Sequence, residues 1–136
     1  MASTTEYFDH VLTLCRNTCA SVNLVMREER PERALLKLTA QYDDFTLYIS
    51  EVVSPEGSRK YAYYALYQQK VVVGFDNAPD PEVLKLKYSA DYTQHRLEFV
   101  PHAHNADKMR VTLTDIMDVE QFLTWAKINL PSNMDL

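Results

Sequence analysis

Lys60–Glu82 reads KYAYYALYQQKVVVGFDNAPDPE, two runs of strand-forming residues on either side of a polar Gln68–Gln69 pair. In an extended chain Tyr61, Tyr63 and Tyr67 point one way, and Tyr64 and Leu66 the other. Tyrosine and valine fit a pleated, half-buried surface. Lys60–Tyr67 and Val71–Phe75 are therefore expected strands, and so short a connection makes them antiparallel. Asp76–Asn77–Ala78–Pro79–Asp80–Pro81 ends the second one, because proline donates nothing to a ladder.

The same period of two extends upstream. Ser54–Pro55–Glu56–Gly57–Ser58 is a turn, Phe45–Val53 a strand, Tyr42–Asp43–Asp44 a turn, and Leu36, Leu38 and Ala40 alternate with polar neighbours. Before Ala34 the period differs. Ser3–Glu6 has the S-x-x-E pattern of a capping box, and Phe8, Val11, Leu12, Cys15, Cys19 and Val22 recur at helical spacing. This predicts a helix over about 4–27, then a solvated charged linker at Arg27–Arg33. Cys15 and Cys19 share the apolar side of that helix, and buried reduced thiols are expected.

Downstream the pattern is harder to read. Val83–Tyr88 fits a short helix or an extended excursion, and Tyr92–Val100 is an expected strand. Thr114 and Asp115 offer caps for a last helix over about 115–130, carrying Ile116, Val119, Phe122, Leu123, Ala126 and Ile128. Ser132–Leu136 is expected to fray. The sum is one α+β domain: an antiparallel meander of four to five strands over about 34–100, flanked by an N-terminal and a C-terminal helix.

Composition removes several functions. Gly57 and Gly74 are the only glycines, too few for a phosphate loop or a dinucleotide fingerprint. There is no G-x-S-x-G elbow and no paired C-x-x-C. A net charge of −5 repels nucleic acid overall, so any such contact needs a local basic patch. No apolar run reaches the roughly 20 residues that span a bilayer, and the start lacks the basic and apolar parts of a signal peptide. A cytoplasmic location without membrane contact is the expectation.

What chemistry remains lies in His102–Ala103–His104. Two residues apart on an extended chain, both imidazoles face one small volume, where they could exchange protons or ligate a metal. His10 and His95 have no such companion. The tyrosine strand could stack bases, or it is simply half-buried sheet.

KYAYYALYQQKVVVGFDNAPDPE, then EFVPHAHN at Glu98–Asn105, then a short C-terminal helix together resemble the TumE-type toxins of bacterial toxin–antitoxin pairs. Those proteins carry a tyrosine-rich strand, a strand ending in (Tyr/Phe)-Asp-Asn and a proline–histidine segment with His-x-His. The match covers about 36–130, and the N-terminal helix looks like an extension. The resemblance implies a toxin neutralised by an antitoxin protein, and it picks out Asp76, Asn77, His102 and His104. Asp80 stands where many relatives have histidine, and Ala103 lies in a stretch often richer in it.

Three readings of the site follow. In the first, His102 and His104 act as acid and base in RNA cleavage without a cofactor, with Asp76 and Asn77 orienting them. Lys60, Tyr61 and Arg110 then meet the substrate. In the second, Asp76, His102 and His104 hold a divalent metal that activates water. In the third, Asp76 and Asn77 only form a turn, the histidines are surface groups, and the protein regulates by binding. The two missing histidines favour the first over the second. The expected partners are an antitoxin, an RNA and a second copy of the chain.

Overall fold

The computed structural model describes residues 3–105 and 110–130, so the Ser132–Leu136 tail lies outside the described residues. One sheet of seven antiparallel strands dominates: β1 (Ser21–Glu29), β2 (Ala34–Tyr42), β3 (Phe45–Val53), β4 (Arg59–Tyr67), β5 (Lys70–Asp76), β6 (His102–Asn105) and β7 (Val111–Leu113), paired in chain order. The α+β meander stands as expected, with seven strands rather than four to five. No helix among the described residues is long and apolar enough to cross a membrane.

The first extra strand comes from the N-terminal helix. α1 (Thr4–Thr18) begins where the Ser3 hydroxyl accepts the Glu6 N–H at 3.1 Å, and it buries Phe8, Val11, Leu12 and Cys15. It does not run on to residue 27: the chain turns extended at Cys19. Val22 prolongs the helical spacing, but Leu24, Val25 and Met26 then follow one another with no period. Serine, valine and asparagine are weak helix formers, and a ladder along Ala34–Gln41 of β2 outweighs the helical spacing. Arg30–Arg33, expected as part of a linker, closes that hairpin through N–H···O bonds in both directions at 3.0 and 3.2 Å.

After β5 the helical one of the two readings of Val83–Tyr88 holds, and other expectations change. Val83–Tyr88 is helical, within α2 (Pro81–Tyr88); Asp80 accepts the Glu82 N–H and Pro81 supplies the first turn. The expected strand at Tyr92–Val100 is replaced by a 3-10 turn over Ser89–His95 and an irregular run to Pro101. β6 and β7 are the remaining added strands. The last helix, α3 (Val119–Asn129), starts at a capping box between Asp118 and Gln121 rather than at Thr114 or Asp115. Ile116 precedes it and is exposed, as is Ile128.

α1 and α3 cover one face of the sheet. Their apolar sides meet Leu36, Leu38, Leu47, Ile49, Tyr61, Tyr63 and Phe75, with Tyr63 stacked on Phe122 at 5.3 Å. Both cysteines are free and buried, and burial pushes the Cys15 thiol up to about 12, which leaves it inert at neutral pH. Among the described residues, the opposite face is covered only at one end. There α2 and the 3-10 turn pack Val83 and Leu84 with Val100, Tyr88, Tyr92 and Val111.

Candidate functional site

Strand register assembles the site. β5 and β6 pair Asp76 with His102 and Gly74 with His104. β4 and β5 pair Ala62 with Asp76 and Tyr64 with Gly74. Alternation then puts Asp76, His102, His104 and Tyr64 on the face away from α1 and α3. The site occupies the corner where the α2 end of that face gives way to open sheet.

The centre is a triangle. His102 Nε2 lies 2.9 Å from Asp76 Oδ1, His104 Nε2 lies 3.2 Å from Asp76 Oδ2, and the two Nε2 atoms are 3.0 Å apart. Asp76, His102 and His104 are 7%, 1% and 8% exposed. Two donors hold the carboxylate in place, the Tyr64 hydroxyl on Oδ2 and the Ala78 N–H on Oδ1, both at 3.0 Å. Burial opposes the Asp76 charge, yet the His102 bond and charge with these two donors keep its pKa below the usual value. Burial also pulls His102 down, but its bonds to Asp76 and to the Val100 carbonyl leave its pKa net raised.

The protons of this triangle can be counted. His102 Nδ1 lies 2.7 Å from the Val100 carbonyl oxygen; a carbonyl only accepts, so Nδ1 carries a hydrogen. With Asp76 ionised, no placement of hydrogens on the two Nε2 atoms satisfies all three contacts. If both carry one, they face each other proton to proton. If one does, the other opposes the carboxylate lone pair to lone pair. His104 Nδ1 is in addition buried without a partner.

A single divalent cation would resolve the conflict. Ligands at about 2.1 Å from a common ion and at the right angles of octahedral coordination lie about 3 Å apart, close to the separations present. The ring N–H of His102 on a backbone carbonyl is the usual outer support of a metal-bound imidazole. Asp76, His102 and His104 form the metal-competent group among the described residues, with ligand atoms all within 4.8 Å of one another. The same closeness counts against the paired acid/base reading, since Nε2 atoms 3.0 Å apart cannot stand on opposite sides of a phosphate.

Of the other expected site residues, only Lys60 shares this face. Asn77 is buried, but its amide closes the end of β4, accepting the Tyr61 N–H and donating to the Arg59 carbonyl at 2.9 Å each. It makes no hydrogen bond to either histidine. Tyr61 points into the opposite core, where its hydroxyl accepts the Met117 N–H at 3.1 Å. Alternation puts Arg110 with Thr112 and Ala103 on the helix-covered face, one residue before Val111 pairs with His104. Tyr61 and Arg110 thus lie on the face away from the Asp76 triangle. Asp80 caps α2.

Tyr64 is the residue the sequence did not single out. Its ring crosses the strand over Gly74: a Cβ there would sit 2.1 Å from Tyr64 Cε1. Gly74→Ala must therefore displace the ring and break its bond to Asp76. A loss of about 1–3 kcal/mol is expected from overpacking, read by urea denaturation. Gly74→Ala in a Tyr64→Ala background should cost well under half of that.

Compared with protein-family models, curated proteins and solved structures, the chain matches none.

Proposed function

We propose that this chain is a divalent-cation-dependent ribonuclease and the toxin half of a toxin–antitoxin pair. The observation that carries the chemistry is the frustrated triangle of Asp76, His102 and His104, whose three facing contacts no proton arrangement satisfies while Asp76 is ionised. The resemblance to TumE-type toxins carries the biological role and the RNA substrate.

Asp76 Oδ1 or Oδ2, His102 Nε2 and His104 Nε2 would hold the ion, and three protein ligands leave positions open for water and substrate. Bound there, a divalent cation supplies a water of lowered pKa and offsets charge on a phosphate oxygen. A nitrogen-and-oxygen donor set suits zinc or manganese better than softer metals. His102 keeps its ring oriented through Val100, Tyr64 keeps the carboxylate oriented, and the α2 end screens one side of the centre from water. Lys60, on the same face, would meet phosphate.

The test is direct. Isothermal titration of chelator-stripped protein with Zn2+ or Mn2+ should show one site per chain. Labelled single-stranded RNA should be cut by the loaded protein and spared in excess chelator. Cleavage that persists in chelator would return the assignment to metal-free proton transfer. In cells, expression of the wild type should arrest growth, and His102→Ala/His104→Ala should relieve the arrest. Arrest that survives the double change would leave only a binding role.

A further inference from the structure

The open part of the sheet face carries a pattern that runs to the Asp76 centre. Register pairs Lys37 with Ser50, Ser50 with Ala62, Ala62 with Asp76 and Asp76 with His102. These residues form one row across five strands. The next row is Thr39, Tyr48, Tyr64, Gly74 and His104. On the other flank Val52 pairs with Lys60. The middle row is therefore floored by two small side chains, Ser50 and Ala62. Tyrosines border it on one side and Lys60 on the other, with Lys37 at its far end.

We infer that this row is a track for single-stranded RNA, leading from Lys37 to the Asp76–His102–His104 centre. At about 4.8 Å per strand, Lys37 stands roughly 14 Å from Asp76, a span of a few nucleotides. Lys37 and Lys60 are the only charged residues on the open face of β2, β3 and β4, in a chain of net charge −5. Neither is in an ion pair among the described residues, and Lys60 is exposed. A positive strip on an acidic protein fits a polyanion. Tyr48 and Tyr64, half-buried with rings 6.2 Å apart and inclined at 35°, offer the aromatic surface on which unpaired bases stack. A duplex hides those base faces, so the occupant is single-stranded. Its assignment as RNA rests on the ribonuclease reading above.

Fluorescence anisotropy of labelled oligouridine, measured in chelator so that nothing is cut, tests the track apart from the centre. Wild type should bind, and duplex RNA of the same length should bind at least about tenfold more weakly, having no free base faces to stack. Lys37→Glu/Lys60→Glu should weaken binding more than about tenfold and lower the slope of log affinity against log salt by about 1.4, the value for two phosphate contacts on a single strand. Tyr48→Ala should lose about tenfold, with Tyr48→Phe retaining most of the affinity. Circular dichroism of these exposed-face variants should match wild type. Binding that ignores all these changes, or that favours duplex or oligothymidine over oligouridine, overturns the proposal. If oligouridine binds as described while Zn2+ and Mn2+ do not, the track stands and the metal centre falls. If the metal binds and oligouridine does not, the track falls and the centre stands.

Discussion

Asp76→Asn is expected to reduce RNA cleavage by about a hundred- to a thousandfold, the scale on which removing one preorganised electrostatic group acts, and to abolish measurable Zn2+ or Mn2+ binding. Both imidazoles approach this one carboxylate, at 2.9 and 3.2 Å, and Tyr64 and Ala78 both donate to it. Asparagine has nearly the same shape and can still accept from either donor, but it removes the charge. It also turns an amide N–H2 toward one of the imidazoles, where it competes for a lone pair that the ion needs.

Tyr64→Phe separates the ligand from its support. It keeps the ring over Gly74 and removes only the hydroxyl that donates to Asp76 Oδ2. A loss of about 10–100-fold in metal affinity or cleavage is the usual effect of deleting such an outer hydrogen bond. If Asp76→Asn keeps full cleavage while the protein stays folded, the proposed centre is not where the chemistry happens. Calorimetry for the metal and gel analysis of labelled RNA for the cut read the two effects separately.

The legible and illegible parts of this protein divide along one physical line, the range of the interactions involved. Hairpins with close turns read directly: Tyr42 pairs with Phe45 and Tyr67 with Lys70, as two-residue connections require. The end of α1 did not read, because the spacing of Cys19 and Val22 suits a helix and only the distant ladder with β2 overrides it. In the irregular run before Pro101 only Val100 is buried, packed with Val83 and Leu84 of α2, a contact that no local period announces.

The site shows the same division. Asp76, His102 and His104 were visible as residue types, and β6 brings the histidines against Asp76 by pairing two distant strands. The tyrosine that joins them turns on a single residue. An unbulged hairpin closing at Tyr67–Lys70 would set Asp76 opposite Tyr61. Instead Leu66 pairs with Val71 and Ala65 with Val73, so Val72 is the extra residue of a bulge. The register shifts by one, every later side chain changes its neighbour, and Tyr64 joins Asp76 while Tyr61 enters the opposite core. Gly74, facing Tyr64, was the available signal: a glycine within a strand marks a bulge or a close approach.

Arg59→Met is expected to cost about 3–5 kcal/mol of folding stability, the penalty for leaving a buried charge without its partner. For a chain of this size that corresponds to a fall in Tm of roughly 10–20 °C. The reason is Glu51, fully buried on the helix-covered face. Arg59 Nη1 reaches both of its oxygens at 3.1 and 3.0 Å and the Tyr63 hydroxyl at 2.9 Å, while Nη2 donates to the Met117 carbonyl at 2.7 Å. Tyr7 of α1 donates to the same carboxylate. One ion pair thus ties α1, β3, β4 and the approach to α3 together. Burial already holds the Glu51 pKa above its ordinary value against the opposing pull of Arg59. Removing the guanidinium raises it further. A carboxyl whose folded pKa exceeds its unfolded one binds more protons in the folded state, so stability falls as pH rises between the two values. Arg59→Met should therefore be visibly less stable at pH 8 than at pH 5, with a steeper pH dependence than wild type. Because an apolar replacement of the whole pair can be nearly neutral, Glu51→Leu/Arg59→Met should recover much of the loss and flatten that dependence. Thermal melts at the two pH values decide it, and equal losses in the single and double variants would show that packing around Arg59, not the Glu51 charge, sets the cost.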